Sequence, residues 1–156
     1  MSFDVFLFKF AKGDSCELPR EALRSVFEKH EFKQTSEHFY VIRLKDGSQV
    51  ELQAGGLTSS ERFKMATFFI RGGTDGIAQL IFECAQVTGG VLIPTMDQNP
   101  CIMVDTSQRA ELPHNFTQPV VECASAEELT RLLRSGYQAW SRYRDQIVQS
   151  HDSQAG

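Results

Sequence analysis

The sequence predicts an α+β domain with a mixed or mostly antiparallel sheet, ordered β-α-β-β-β-α-β-β-α with a long C-terminal helix. Three observations carry this prediction. Lys45-Asp46-Gly47 lies between two alternating runs, and Asp-Gly there is the strongest short hairpin signal because the tight turn needs positive φ. Ile77–Ala85 and Leu129–Ile147 repeat their apolar residues at helical spacing. Three strand-like runs also follow one another between the first two helices, where a doubly wound fold would alternate strand and helix throughout.

The opening run, Phe3 to Phe10, points Phe3, Val5 and Leu7 one way and Phe6, Phe8 and Phe10 the other. A strand apolar on both faces is expected inside a sheet covered on both sides. Pro19 suits the first turn of a helix, and Leu23, Val26, Phe27 and His30 follow at i, i+3, i+4, i+7. The first helix is therefore expected from Pro19 to His30. Phe39 to Leu44 and Ser48 to Gln53 flank the Asp-Gly turn, and Lys64 to Ile70 adds a third strand. The second helix runs from Asp75 to Thr88, with Thr74 or Asp75 as N-cap and Ile77, Leu80, Ile81, Cys84 and Ala85 as its buried stripe. Gly89-Gly90 ends it. Val91 to Ile93 and Cys101 to Val104 read as short strands around the loop Pro94 to Pro100.

Ser125-x-x-Glu128 is a capping box that opens the third helix. Leu129, Leu132, Leu133, Gly136, Tyr137, Trp140, Tyr143 and Ile147 hold one stripe, opposite Arg131, Gln138, Arg142 and Asp145. The expected length is about 24 residues, or about 36 Å. Gly136 costs about 1 kcal/mol relative to Ala inside a helix, so its place on the stripe predicts close backbone packing. Residues 1–149 are expected to form one domain, with 150–156 as a polar tail.

Composition narrows the function. A chain of 156 residues that is 41% hydrophobic and carries 12 Phe can build a core and is not expected to be disordered. No run approaches the roughly 18 apolar residues of a membrane span. The balance of 16 Lys+Arg against 20 Asp+Glu, a net −4, predicts no attraction to nucleic acid or anionic lipid. Met1-Ser2-Phe3-Asp4 has no basic n-region, and Cys16, Cys84, Cys101 and Cys123 form no C-x-x-C pair. Reduced structural cysteines in the cytoplasm are expected.

Arg71-Gly72-Gly73-Thr74-Asp75-Gly76 has the outline of an anion cradle, with Arg71, Gly73 and Thr74 as contacts. It matches neither phosphate-binding glycine pattern, and Asp75 puts a carboxylate where a phosphate would sit. A strand-to-helix turn with its own cap is the expected reading. His30, His38, His114 and His151 have no metal-ligand spacing, so no metal or cofactor is expected. Among Cys–His and Ser–His combinations, Cys101 with His114 is the best placed because both flank the second hairpin, and no nucleophile signature surrounds it. Glu127 and Glu128 lie where a helix dipole favours carboxylates. No residue pattern calls for catalysis.

Two segments have the residue types of a protein contact. Trp140 and Arg144 are hot-spot types on a helix long enough to overhang its domain. Asp97, Gln98 and Asn99 lie in a loop bounded by Pro94 and Pro100, which fix φ at its ends. The expected partner is another protein, with a homodimer through the third helix also open.

Met1-Ser2-Phe3-Asp4-Val5-Phe6-Leu7-Phe8-Lys9-Phe10, followed by Leu18-Pro19-Arg20-Glu21-Ala22-Leu23, resembles the opening of small bacterial proteins of the toxin-immunity type. The resemblance spans roughly the first 30 residues and assigns no functional residue. It implies a cytoplasmic antidote that binds a cognate secreted toxin and blocks its active site, through acidic residues if that toxin acts on nucleic acid. The alternative is a small ligand-binding domain or enzyme with a pocket between the sheet and the C-terminal helix.

Overall fold

Phe3–Ala11 forms β1, the strand around which the sheet is assembled. The computed structural model describes residues 3–72, 75–95 and 99–155, with no side-chain detail at 139–141, 143–144 and 147–155. The other strands are β2 (Asp14–Cys16), β3 (Glu31–Gln34), β4 (Phe39–Arg43), β5 (Gln49–Gln53), β6 (Met65–Ile70), β7 (Val91–Pro94), β8 (Cys101–Met103) and β9 (Val120–Glu122). They join in the order β3-β4-β5-β6-β1-β7-β8-β9, with β2 paired to the far end of β1. Every pairing is antiparallel except β8 with β9. Among the described residues three α-helices complete the α+β fold: α1 (Arg20–Phe27), α2 (Asp75–Thr88) and α3 (Ala126–Ala155).

Several elements form as their sequences predict. The Asp46-Gly47 turn closes β4 onto β5, with the Leu44 N–H donating to Ser48 O at 2.8 Å. The α2 helix spans the residues its stripe marks, and Leu80, Ile81, Cys84 and Ala85 are buried. At the start of α3 the Glu128 N–H donates to Ser125 Oγ at 3.1 Å. The Glu128 carboxylate reaches one residue further back than a standard capping box and accepts from the Ala124 N–H at 2.9 Å. Gly136 meets the predicted close approach: a Cβ there would lie 3.0 Å from Phe3 Cζ.

Three strands had no sequence signal. β2 is three residues made by a two-residue turn in which Lys12 and Gly13 both take positive φ, 53° and 85°. β3 carries one apolar residue, Phe32, which stacks between Phe27 at 5.4 Å and Tyr40 at 5.0 Å between ring centroids. Its formation also ends α1 at Phe27, three residues before the expected His30. β9 lies parallel to β8 because residues 104–119, including a 3-10 turn at Thr106–Glu111, cross over between them. At the other end of the chain, α3 continues through Ala155, over residues assigned to a polar tail.

One face of the sheet carries the helices. Phe3, Val5 and Leu7 of β1 are buried there with Tyr40, Ile42, Val50, Leu52, Phe68, Leu92 and Ile102, against Leu23 and Phe27 of α1, Ile81 of α2 and Leu129 and Leu133 of α3. The expectation that β1 is covered on both sides holds only in part. On the second face residues 104–119 cover Phe10, Val91, Cys101 and Met103, and the cover stops there. Gln108 holds this segment down. Its amide donates to Phe10 O at 3.0 Å and accepts from the Phe10 N–H at 2.9 Å, supplying the ladder bonds that β7 is too short to give.

Candidate functional site

The uncovered part of the second face runs from β4 across β5, β6 and β1 to β7. Strand alternation fills it with large apolar side chains. One cross-strand row reads Phe39, Gln53, Thr67, Phe6 and Ile93. The next row pairs Met65 with Phe8. On the other side lie Val41, Glu51, Phe69 and Asp4. Phe39 and Met65 are each 40% exposed, and Phe6, Phe8, Val41, Phe69 and Ile93 are half-buried.

The rings are ordered. Phe39 stacks on Phe69 at 6.4 Å between centroids. Phe6, Phe8, Phe10 and Phe116 follow one another at 6.3, 6.2 and 6.3 Å, which leads the aromatic row from the open floor into the 104–119 wall. Thr67 lies among these rings at 3% exposure, and its Oγ1 has no hydrogen-bond partner. The charged border is mixed: Arg71 pairs with Glu51 at 3.1 Å and Arg43 approaches Glu31 at 4.0 Å. Four strand steps of about 4.8 Å and two same-face steps of about 6.8 Å give a floor of about 19 by 14 Å. An apolar surface of a few hundred Å² is the kind that marks an interaction site on a soluble protein.

A second concavity lies on the helical side. A cleft of about 280 Å³ is lined by Ile70, Ile77, Ala78, Leu133 and Tyr137, with Thr130, Arg134 and Gln138 along α3. Arg134 pairs with Asp75 at 3.2 Å across its mouth, and both side chains are largely exposed. Tyr137 closes one end by donating its hydroxyl to Arg71 O at 3.1 Å.

Of the candidates chosen from sequence, only Arg71 and Asn99 have described side chains, and Arg71 lies on the border of the open floor. Arg71 is exposed and bound to Glu51, while Gly73 and Thr74 lie outside the described residues. Asp97 and Gln98 also lie outside them. Asn99 is half-buried: its side-chain amide donates to Thr95 O at 2.8 Å, its backbone carbonyl accepts from Gln118 Nε2 at 2.8 Å, and its side chain packs beside Gly136. Trp140 and Arg144 belong to α3, and their side chains are outside the described set. The open aromatic face was not selected from sequence. Its signal was present in the outward positions of Phe6, Phe8, Phe39, Met65 and Phe69.

Three of the four thiols are poorly placed to act as nucleophiles. Cys84, Cys101 and Cys123 are buried. Burial pushes the Cys84 thiol well above its usual range, Cys101 up to about 11, and Cys123 upward as well. His114, the imagined base for Cys101, is exposed. Among the described residues no group of three or more His, Cys, Asp or Glu is placed to hold a metal ion. Among the same residues no helix is long and apolar enough to cross a membrane. No family model, no curated protein and no solved structure matches this chain.

Proposed function

We propose that this chain is a cytoplasmic protein-binding module that seats another protein on the open half of its sheet, and that it acts as an immunity protein neutralising a secreted toxin. The observation that carries the binding reading is the ordered aromatic floor, Phe39, Phe69, Phe6 and Phe8 with Met65, left uncovered beside the 104–119 wall. Aromatic and Met side chains are the types enriched at protein interfaces. Net charge −4 favours a protein over nucleic acid as occupant. The immunity reading adds the resemblance of the first residues, which here form the central strand and supply Phe6 and Phe8 to that floor.

The occupant is a different protein rather than a second copy. Two such floors laid face to face cover well under the roughly 800 Å² per partner of a stable interface. A helix or loop of a partner set into the step between floor and wall touches both Phe69 and Phe116 and covers more. Its contact is an apolar ridge flanked by charges of both signs, matching the mixed border of Arg71, Glu51 and Arg43.

The immunity reading expects a neighbouring open reading frame with a secreted-toxin architecture, and the test uses the protein it encodes. Cells lacking the chain are expected to die next to siblings that produce that protein. The wild-type chain rescues them, and Phe39→Asp/Met65→Lys does not. Survival without the chain overturns the immunity reading. Light scattering is expected to give a monomer, and a dimer lost in the same variant would make a second copy the occupant instead.

A further inference from the structure

The cleft between α2 and α3 has features the docking face does not use. Its floor is apolar, from Ile70 at the end of β6, Ile77 and Ala78 on α2, and Leu133 and Tyr137 on α3. Its polar groups fall on one side only. Thr130, Arg134 and Gln138 lie four residues apart on α3 and so stack along one face of that helix. An apolar pocket with a few convergent polar groups is the usual form of a small-molecule site. Its volume of about 280 Å³ is nearly twice the roughly 150 Å³ in which an engineered protein cavity holds benzene. A body of about ten non-hydrogen atoms fills it on that scale.

The geometry points to a small amphiphilic carboxylate as the ligand, its apolar body between α2 and α3 and its carboxylate on Arg134. Among the described residues the guanidinium pairs with Asp75 at 3.2 Å, and the two side chains are 62% and 82% exposed. Exposed pairs of this kind contribute little, so a ligand carboxylate displaces Asp75 at small cost. The ligand then makes the two parallel N–H···O bonds that a guanidinium offers a carboxylate. The Tyr137 hydroxyl, committed to Arg71 O at 3.1 Å, closes the far end and limits chain length. No bond is made or broken in this step. The site is independent of the docking face, since its residues lie on the helical side of the sheet.

Hexanoate, octanoate and 1-octanol are the probes, titrated below their micelle concentrations while the amide resonances of Ala78, Thr130 and Leu133 are followed. Octanoate is expected to shift these amides saturably. Each methylene beyond hexanoate should tighten binding about fourfold. Arg134→Gln is expected to weaken octanoate about tenfold and leave 1-octanol unchanged. Thr130→Phe, at a half-buried position that tolerates bulk better than Ala78, should remove binding of both. Three results overturn the assignment: no saturable shift at these amides, shifts centred on Phe39 and Met65 instead, or equal effects of Arg134→Gln on acid and alcohol.

Discussion

Thr67→Val is expected to stabilise the protein. Thr67 lies on β6 between Phe6 and Gln53, with 3% of its surface exposed and its Oγ1 without a partner. A buried hydroxyl with no hydrogen bond carries a desolvation penalty of about 1–3 kcal/mol. Valine keeps the β-branch that suits a strand and exchanges the hydroxyl for a methyl of similar size. The predicted gain is therefore about 1 kcal/mol, taking the low end. For a chain of this length that raises the melting midpoint by about 3 °C. Calorimetry or thermal circular dichroism reads the change. Thr67→Ala is the control: it removes the same hydroxyl and opens a space, so it should fall below Thr67→Val by about 1 kcal/mol. A midpoint lowered by Thr67→Val would refute the reasoning, because the hydroxyl would then be making a bond worth keeping.

Other perturbations probe the rest of the fold. Gly136→Leu places four carbons where a Cβ alone would already lie 3.0 Å from Phe3, and should cost about 2 kcal/mol or more. An unchanged midpoint would show that the contact is open. Gln108→Ala strips the Phe10 N–H and C=O of their partners beneath the 104–119 segment. A loss of about 2 kcal/mol in urea unfolding is expected, with the amides of 104–119 exchanging faster. The buried thiols give a pH dependence of fixed sign. Their folded pKa values lie above the ordinary 9.0, Cys101 at about 11, so stability is full at neutral pH and declines as pH rises from about 9 towards 11. A thiol reagent at neutral pH should label Cys16 quickly and the other three after unfolding. Rapid native labelling of all four would contradict that burial.

Local chemistry made the regular elements legible. The β-turn at Asp46-Gly47, the stripe of α2 and the Ser125 cap each depend on neighbours within a few residues, and each forms where the sequence places it. β2, β3 and β9 depend on partners distant in sequence. Lys12 in a left-handed conformation, a lone Phe32 on an edge strand and a parallel partner for β8 leave no periodic signal. The alternation of β1 shows that Phe6, Phe8 and Phe10 share a face. It does not show that all three helices pack on the other one, so the open floor became visible only with the layers assembled. Residue-type preference pointed instead to Asn99, whose side-chain amide donates to Thr95 O and packs beside Gly136.

The central claim concerns the open sheet face, and one titration tests it most directly. The protein encoded by the neighbouring open reading frame that the immunity reading expects is titrated calorimetrically into wild type and into Phe39→Asp/Met65→Lys. Both positions are 40% exposed, so the variant should unfold within about 2 °C of wild type. The variant removes an aromatic and a methionine contact and sets two charges against an apolar partner surface, which should cost about 2 kcal/mol or more, so binding should weaken at least about thirtyfold. Equal affinity for the two proteins would contradict the account.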